Sequence, residues 1–96
     1  IDPQNVEAHY LAALSHLELN YYDEALAAFL ETARLAPEHV DAHYQAGLLY
    51  EQKGDIDNAV NQYERTIELD QSNADPFLRL GAIYLKRGDK ENVIRT

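Results

Sequence analysis

Apolar residues recur every three to four positions over much of the chain, which is the spacing of an amphipathic helix. This pattern predicts a first helix over residues 6–19 after Asn5, a favourable N-cap residue. A second helix is predicted over residues 23–35, and Pro37 closes it because proline cannot continue a helix. The same alternation predicts two further helix pairs, 40–53 with 56–69 and 74–87 with 90 onward.

The polar breaks between paired helices also recur. Asn20, Gly54 and Gly88 each follow a first helix, and these residue types tolerate the left-handed conformation that often ends a helix. Pro76 is compatible with a helix start, where the first turn has no intrahelical N–H bond to lose.

The chain repeats itself at an interval of 34 residues. Residues 6–39 align without gaps on residues 40–73, with ten identical positions, and a shorter third copy occupies residues 74–96. The whole chain, 1–96, is therefore predicted to be one all-α array of antiparallel helix pairs, with no strand. Residues 1–5 are interpreted as the end of a preceding repeat, and the chain as a fragment of a longer array that starts and stops within a repeat.

Small residues recur where paired helices must approach closely. Small residues occupy one equivalent position in the first helix of each repeat and another in the second helix. An aromatic residue lies near the small residue of the second helix. These positions are Ala13, Gly47 and Gly81, then Ala25 and Ala59, with Phe29 and Tyr63 as the aromatic residues.

This spacing resembles the tetratricopeptide repeat, whose pattern is W-x2-L-G-x2-Y, then A-x3-F, then P. The third unit matches with Phe77, Leu80, Gly81 and Tyr84, the second with Gly47, Tyr50, Ala59 and Tyr63, and the first with Ala25, Phe29 and Pro37. The first unit has His9, Ala12, Ala13 and His16 at the other signature places, and the second has His43 and Ala46. The resemblance implies a right-handed superhelical α-solenoid of about two and two-thirds repeats, and a function in protein binding.

Three residues depart from the family pattern. Thr32 and Thr66 replace an alanine, which is expected to loosen or twist the packing between units. Val93 replaces the small alanine of the last unit.

Charge narrows the possible partners. The net charge is −9, and residues 1–52 hold nine acids against the single base Arg34. Such a surface repels nucleic-acid phosphates and anionic membranes, so neither is an expected partner. No apolar run is long enough for a membrane span, so no membrane insertion is expected and the chain is taken as soluble. The sequence leaves the compartment open, with the cytoplasm slightly favoured. The acids could alternatively serve only solubility.

Catalysis and metal binding are not expected. His39 and His43 have a spacing that can chelate zinc, but His9, His16 and His43 fall at core positions of the repeat. Ser15 and His16 are adjacent on a helix, so their side chains do not face each other. The chain lacks cysteine and a phosphate-binding glycine loop. The sequence therefore predicts no enzyme, no cofactor and no metal site.

The resemblance implies that the first helices line a concave groove. A carboxylate row, an aromatic row and an apolar row recur there, and the alternative is that the apolar rows only cover neighbouring helices. The predicted partner-binding residues are Glu7, Tyr10, Leu14, Leu17, Asp41, Tyr44, Gln45, Leu48, Asp75, Leu78, Arg79 and Ala82, with Leu85 extending the strip. Chaperone-binding members hold a terminal carboxylate with lysine, arginine and asparagine, and only Arg79 retains that chemistry here, so that clamp is absent.

The preferred function is an adaptor or scaffold that binds a protein segment with apolar anchors and basic flanks. Two alternatives remain open at this point. One is self-assembly into homo-oligomers through exposed repeat ends, and the other is a substrate-recruiting array within a larger enzyme such as a glycosyltransferase.

Overall fold

The computed structural model describes residues 5–87, which form five helices and contain no β-strand. The helices are α1 (Val6–Glu18), α2 (Tyr22–Leu35), α3 (Val40–Lys53), α4 (Ile56–Leu69) and α5 (Asp75–Arg87). The predicted all-α solenoid is confirmed, and each helix boundary lies within one residue of its prediction. The predicted helix from residue 90, together with Gly88 and Val93, lies outside the described residues.

Local chemistry explains where the helices begin. The Asn5 side chain accepts a hydrogen bond from the Ala8 amide at 3.1 Å, as expected of an N-cap. At the start of α3, the same role falls to a ring nitrogen, because His39 Nδ1 accepts from the Ala42 amide at 3.1 Å. The α5 helix begins at residue 75 rather than 74, and its Asp75 amide donates to the Asn73 side chain at 3.0 Å.

The helix ends follow the predicted left-handed turns. Asn20 has φ 64° and Gly54 has φ 85°. In each turn the following amide returns to the helix, from Tyr21 to the His16 carbonyl at 2.8 Å and from Asp55 to the Tyr50 carbonyl at 2.9 Å. The chain therefore reverses twice by the same geometry, which makes α2 antiparallel to α1 and α4 antiparallel to α3.

The core runs through the stack as two clusters. The first cluster joins the first repeat to the second through Ala13, Ala25, Leu26, Phe29, Ala46 and Leu49. The second joins the second repeat to the third through Ala59, Tyr63, Leu80 and Ile83. Since the clusters cross the repeat boundaries, neither helix pair could bury its apolar face alone.

The small residues act as predicted where the paired helix is described. Ala13, Ala25 and Ala59 are fully buried, as are the aromatic side chains of Phe29 and Tyr63. Gly81 differs, since within residues 5–87 no atom lies within 4 Å of a Cβ built on it.

Thr32 and Thr66 are fully buried, and each satisfies its hydroxyl within its own helix. Their Oγ1 atoms donate to the carbonyls of Ala28 and Gln62, each at 2.8 Å. Such bonds to the preceding turn often bend a helix slightly. The effect of the two threonines on packing between units stays a prediction.

Candidate functional site

The predicted carboxylate row lies on the exposed starts of three helices. Glu7, Asp41 and Asp75 are all exposed, and each lies in the first turn of α1, α3 or α5. An acid in a first turn also stabilises its helix, because the N-terminus carries partial positive charge. The row is therefore available to a partner while also having a structural use.

The aromatic row is tied to the carboxylate row of the next repeat. The Tyr10 hydroxyl donates to Asp41 Oδ2 at 3.3 Å, and the ring lies 4.7 Å from the His39 ring and 6.0 Å from the Phe29 ring, centre to centre. Partial burial raises the pKa of Tyr10, and the nearby Asp41 carboxylate raises it further by a smaller amount. Tyr10 thus serves as a bridge between repeats as well as a surface residue.

The apolar rows change character along the array. Tyr44 packs against the Tyr63 ring at 6.0 Å, and Leu14, Leu17 and Leu48 are half-buried against the core. On α5 the equivalent positions are open, with Leu78 69% exposed and Leu85 63% exposed. The alternative that these residues cover neighbouring helices is therefore correct in part for α1 and α3, whereas α5 presents its row to solvent.

A surface hollow of about 360 Å³ lies between α3 and α5. Five of the twelve predicted residues line it: Tyr44, Asp75, Leu78, Arg79 and Ala82. An adjoining hollow of about 340 Å³ is lined by Leu48, Glu51, Gln52 and Arg79. None of the predicted residues on α1 lines either hollow, and neither does Gln45 or Asp41. The structure thus gathers Tyr44, Leu48 and the four α5 residues around the hollows, whereas Glu7, Leu14 and Leu17 do not line them and Tyr10 reaches only Asp41.

Arg79 separates the two hollows and is held by a polar network. Its Nη1 lies 3.8 Å from Glu51 Oε1, the same oxygen that accepts the Tyr63 hydroxyl at 2.7 Å. A hydrogen bond to Tyr44 raises the pKa of Arg79. Burial, then the bond to Glu51, raises the pKa of Tyr63 well above its usual range. Because Glu51 already balances Arg79, the guanidinium is not an isolated receptor for a partner's anion.

Residue-by-residue inspection of the sequence missed three residues of this face. Glu51 and Gln52 line the second hollow, and Leu11 is 53% exposed on α1. The 34-residue offset could have identified two of them. Glu51 is the second-repeat equivalent of Leu17 and Leu85, and Leu11 is the first-repeat equivalent of Gln45 and Arg79.

His39 and His43 serve structural contacts. His43 is buried, with Nδ1 2.8 Å from the Gln62 side-chain oxygen and Nε2 2.8 Å from the Pro37 carbonyl. With His39 Nδ1 used as a helix cap, the i, i+4 pair does not present a chelating geometry. Within residues 5–87 no three histidine or acidic side chains cluster as metal ligands, and no helix there could cross a bilayer.

Comparison with known proteins places this architecture in context. The family model described as the tetratricopeptide repeat matches residues 2–40, 10–76 and 44–92. No curated protein sequence matches the chain. A crystal structure of MamA superposes with a TM-score of 0.90 and 24% identity, covering 98% of this chain and 55% of that chain.

Two further MamA structures are similar. A second crystal structure gives a TM-score of 0.88 at 24% identity, over 98% of this chain and 51% of that one. A structure of a MamA mutant gives a TM-score of 0.83 at 18% identity, over 98% of this chain and 69% of that one. This chain spans about half the length of the first two, and at these identities the likeness shows the fold alone.

Proposed function

The chain belongs to the tetratricopeptide repeat family, and we propose that it is an adaptor or scaffold module that binds a partner segment on the face formed by α1, α3 and α5. Repeat arrays of this type present an extended concave surface to other proteins. The proposed site centres on the two hollows beside Arg79, which we call the α3–α5 site.

The observation that carries the proposal is the hollow between α3 and α5. It combines the exposed Leu78 and Ala82 with the rim of a packed aromatic side chain, Tyr44. Leu78 leaves most of its apolar surface in water, where a partner's apolar side chain would bury it. Tyrosine in a partly packed setting is a frequent interface hot spot, because it adds contact area at low cost in entropy. This combination favours an apolar anchor in the partner.

The charges around the site favour basic flanks on that anchor. Asp75 lines the hollow, and Asp41 and Glu7 continue the carboxylate row on the neighbouring helices. Arg79 is balanced by Glu51, so the net field at the site stays negative. A segment carrying lysine or arginine beside its apolar anchor therefore fits best, and the charges act mainly on association rate and partner choice.

Catalysis is not part of the proposal. The histidines at helix starts and in the core are engaged in capping and packing, and the family acts through binding surfaces. A role in recruiting substrates to a larger enzyme, such as a glycosyltransferase, would use the same α3–α5 site and would be distinguished by a catalytic domain in the same protein.

The proposal is tested by selecting random displayed peptides against this chain. We expect the selected peptides to share apolar residues flanked by lysine or arginine. Affinity, measured by calorimetry, should fall when Leu78→Gln or Ala82→Gln places an uncharged polar group in the hollow. Both positions are exposed, so neither change disturbs the core.

Glu64→Lys is the control, because it changes charge on an exposed position of α4, outside this face. If selected peptides lose affinity with Glu64→Lys but not with the α5 variants, the α4 side of the array is the binding surface and the α3–α5 site is wrong.

A second candidate function is self-association through the last described repeat. A hollow of about 440 Å³ there is lined by Glu64, Ile67, Phe77, Leu80, Gly81 and Tyr84, which are mostly apolar. Apolar patches of this kind favour association. Sedimentation over a concentration series should show dimers or longer stacks that Phe77→Gln abolishes, as should an added polar capping helix. A strictly monomeric protein at high concentration would exclude this candidate.

A further inference from the structure

A fourth hollow, of about 440 Å³, lies at the turn between α1 and α2, beside the C-terminal end of α3. Its residues include Tyr21, Tyr22, Asp23, Glu24 and Lys53, and none of them belongs to the predicted groove set. We call it the tyrosine hollow. It offers aromatic rings and carboxylates in one place.

The two rings are held in position although they remain open to solvent. The Tyr22 hydroxyl donates to the Asn20 side chain at 2.9 Å, and the Tyr21 ring lies 6.2 Å from the His16 ring. Tyr21 is nevertheless 53% exposed and Tyr22 37% exposed. Rings fixed in this way lose little conformational freedom when a ligand packs against them.

The fold itself does not require these tyrosines. The equivalent turn of the second repeat makes the same left-handed reversal at Gly54, and Asp55 and Ile56 stand where the first repeat has Tyr21 and Tyr22. That turn closes with no aromatic side chain. The pair of tyrosines is therefore an addition to the turn rather than part of its construction.

The electrostatics of the hollow favour a cation. Lys53 Nζ already lies 3.1 Å from Asp23 Oδ1, and Asp23 is 80% exposed. Glu24 is exposed beside it, and the carbonyls at the end of α3 add partial negative charge. The start of α2 has the opposite sign, and Lys53 offsets one of the two carboxylates, so the net charge at the hollow is negative but small.

We propose that the tyrosine hollow binds an arginine side chain of a protein partner. The planar guanidinium stacks on a tyrosine ring, which lysine does less well, and donates hydrogen bonds to Asp23 and Glu24. Lys53 shows that a cation fits at Asp23 and competes with the arriving arginine for that carboxylate. This site adjoins the α3–α5 site and shares Gln52 with it, but its tyrosines and carboxylates belong to the turn between α1 and α2.

The test is a titration of the isotopically labelled chain with N-acetyl-arginine amide, followed by amide and tyrosine-ring NMR signals. N-acetyl-citrulline amide is the matched probe, because it keeps the shape and loses the charge. We expect saturable shifts confined to residues 20–24 and 49–53, with the citrulline probe binding about two- to fivefold more weakly, from the usual size of an exposed cation–π contact.

Two variants sharpen the test. Tyr21→Ser with Tyr22→Ser should abolish the saturable shifts. Lys53→Gln should instead tighten arginine binding, because it removes the competitor for Asp23. Lys53 is exposed, so this variant keeps the fold and still tests the proposal if the double variant unfolds. Equal binding of the two probes, shifts spread over all exposed acids, or weaker binding by the Lys53→Gln variant would each overturn the proposal.

Discussion

Tyr63 packs against the bare backbone of Gly47. A Cβ added to Gly47 would lie 2.6 Å from Cε1 and 2.8 Å from Cδ1 of the Tyr63 ring, nearer than side chains approach one another. The ring is fully buried, and its hydroxyl is fixed to Glu51 by a bond of 2.7 Å. The contact sets how closely α3 and α4 pair in the second repeat.

Gly47→Ala is expected to destabilise the array. The methyl group must displace a buried ring that is tethered at its far end, and overpacking of this kind typically costs about 1–3 kcal/mol. Urea unfolding followed by circular dichroism measures the loss.

Gly81→Ala is the matched control for that prediction. It occupies the same register position, but within residues 5–87 nothing lies within 4 Å of the added Cβ. Among the described residues the added methyl meets no tyrosine ring, and alanine favours a helix over glycine by about 1 kcal/mol, so Gly81→Ala should cost less stability than Gly47→Ala. Equal losses for the two variants would contradict the assigned role of Tyr63.

Stability should fall in alkaline solution because of Tyr63. Burial and the bond to Glu51 raise the pKa of this phenol above 10.0 in the folded chain, so folding favours its neutral form. That contribution is complete below the unfolded pKa of 10.0 and is lost as the pH rises from there toward the folded pKa. The chain has seven tyrosines, so the signal of Tyr63 is the part of the tyrosinate absorbance that Tyr63→Phe removes, and that part should appear together with loss of helix.

Tyr63→Phe isolates this effect. Phenylalanine keeps the ring against Gly47 but removes the titrating hydroxyl, so the decline of the unfolding free energy above pH 10 should become shallower. At neutral pH the variant should lose about 1.5–3 kcal/mol, the usual value of a hydrogen bond to a charged group. An unchanged alkaline slope would show that other groups control it.

The carboxylate row should act on the rate of partner binding. Changing Glu7, Asp41 and Asp75 together to amides should slow association with a selected basic peptide and flatten its salt dependence, since exposed charges act through a screened field. Stopped-flow association at several salt concentrations measures both effects, and the dissociation rate should change less.

The control carries the same change of net charge elsewhere. Glu38, Asp57 and Glu64 are exposed on other parts of the array, and their amide variants should slow association less than those of the row. If the two triple variants behave alike, overall charge rather than the row controls the encounter.

Zinc is not expected to stabilise the chain. His39 Nδ1 is used to cap α3, and both ring nitrogens of His43 contact Gln62 and Pro37. Chelation by this pair would break a cap and a buried contact. Thermal melts with and without one equivalent of zinc should coincide, whereas a raised melting temperature that is lost in His39→Ala would reveal a site.

The helices were predictable because each boundary depends on short-range chemistry. Asn5, Asn20 and Gly54 act within a few residues of their own positions, and the 34-residue offset carries that information from one unit to the next. The exception is His39, whose ring nitrogen replaces the more common oxygen of a cap. Its place at a helix start was predictable, but its capping bond was not.

The candidate site was less predictable because it depends on how neighbouring repeats pack against each other. Tyr10, Tyr44 and Leu78 share one register position, yet Tyr10 bridges to Asp41, Tyr44 packs on Tyr63, and Leu78 stays open. The link from Arg79 to Glu51 joins different repeats, and no pattern within one repeat indicates it. The position of a residue within the repeat determines which face of the array it lies on. The packing of one repeat against the next determines whether its side chain is exposed on that face.

The main helix contacts follow chain order, α1 with α2, α2 with α3, α3 with α4 and α4 with α5. In an array 48 Å long and 17 Å across its narrowest direction, a pull on the two ends loads these interfaces in series. The weakest interface then yields first while the others hold, so extension should proceed in steps of one helix pair. Each step would release about 110–120 Å of chain, from the length of 34 extended residues. An array built this way yields gradually under tension instead of unfolding in a single step.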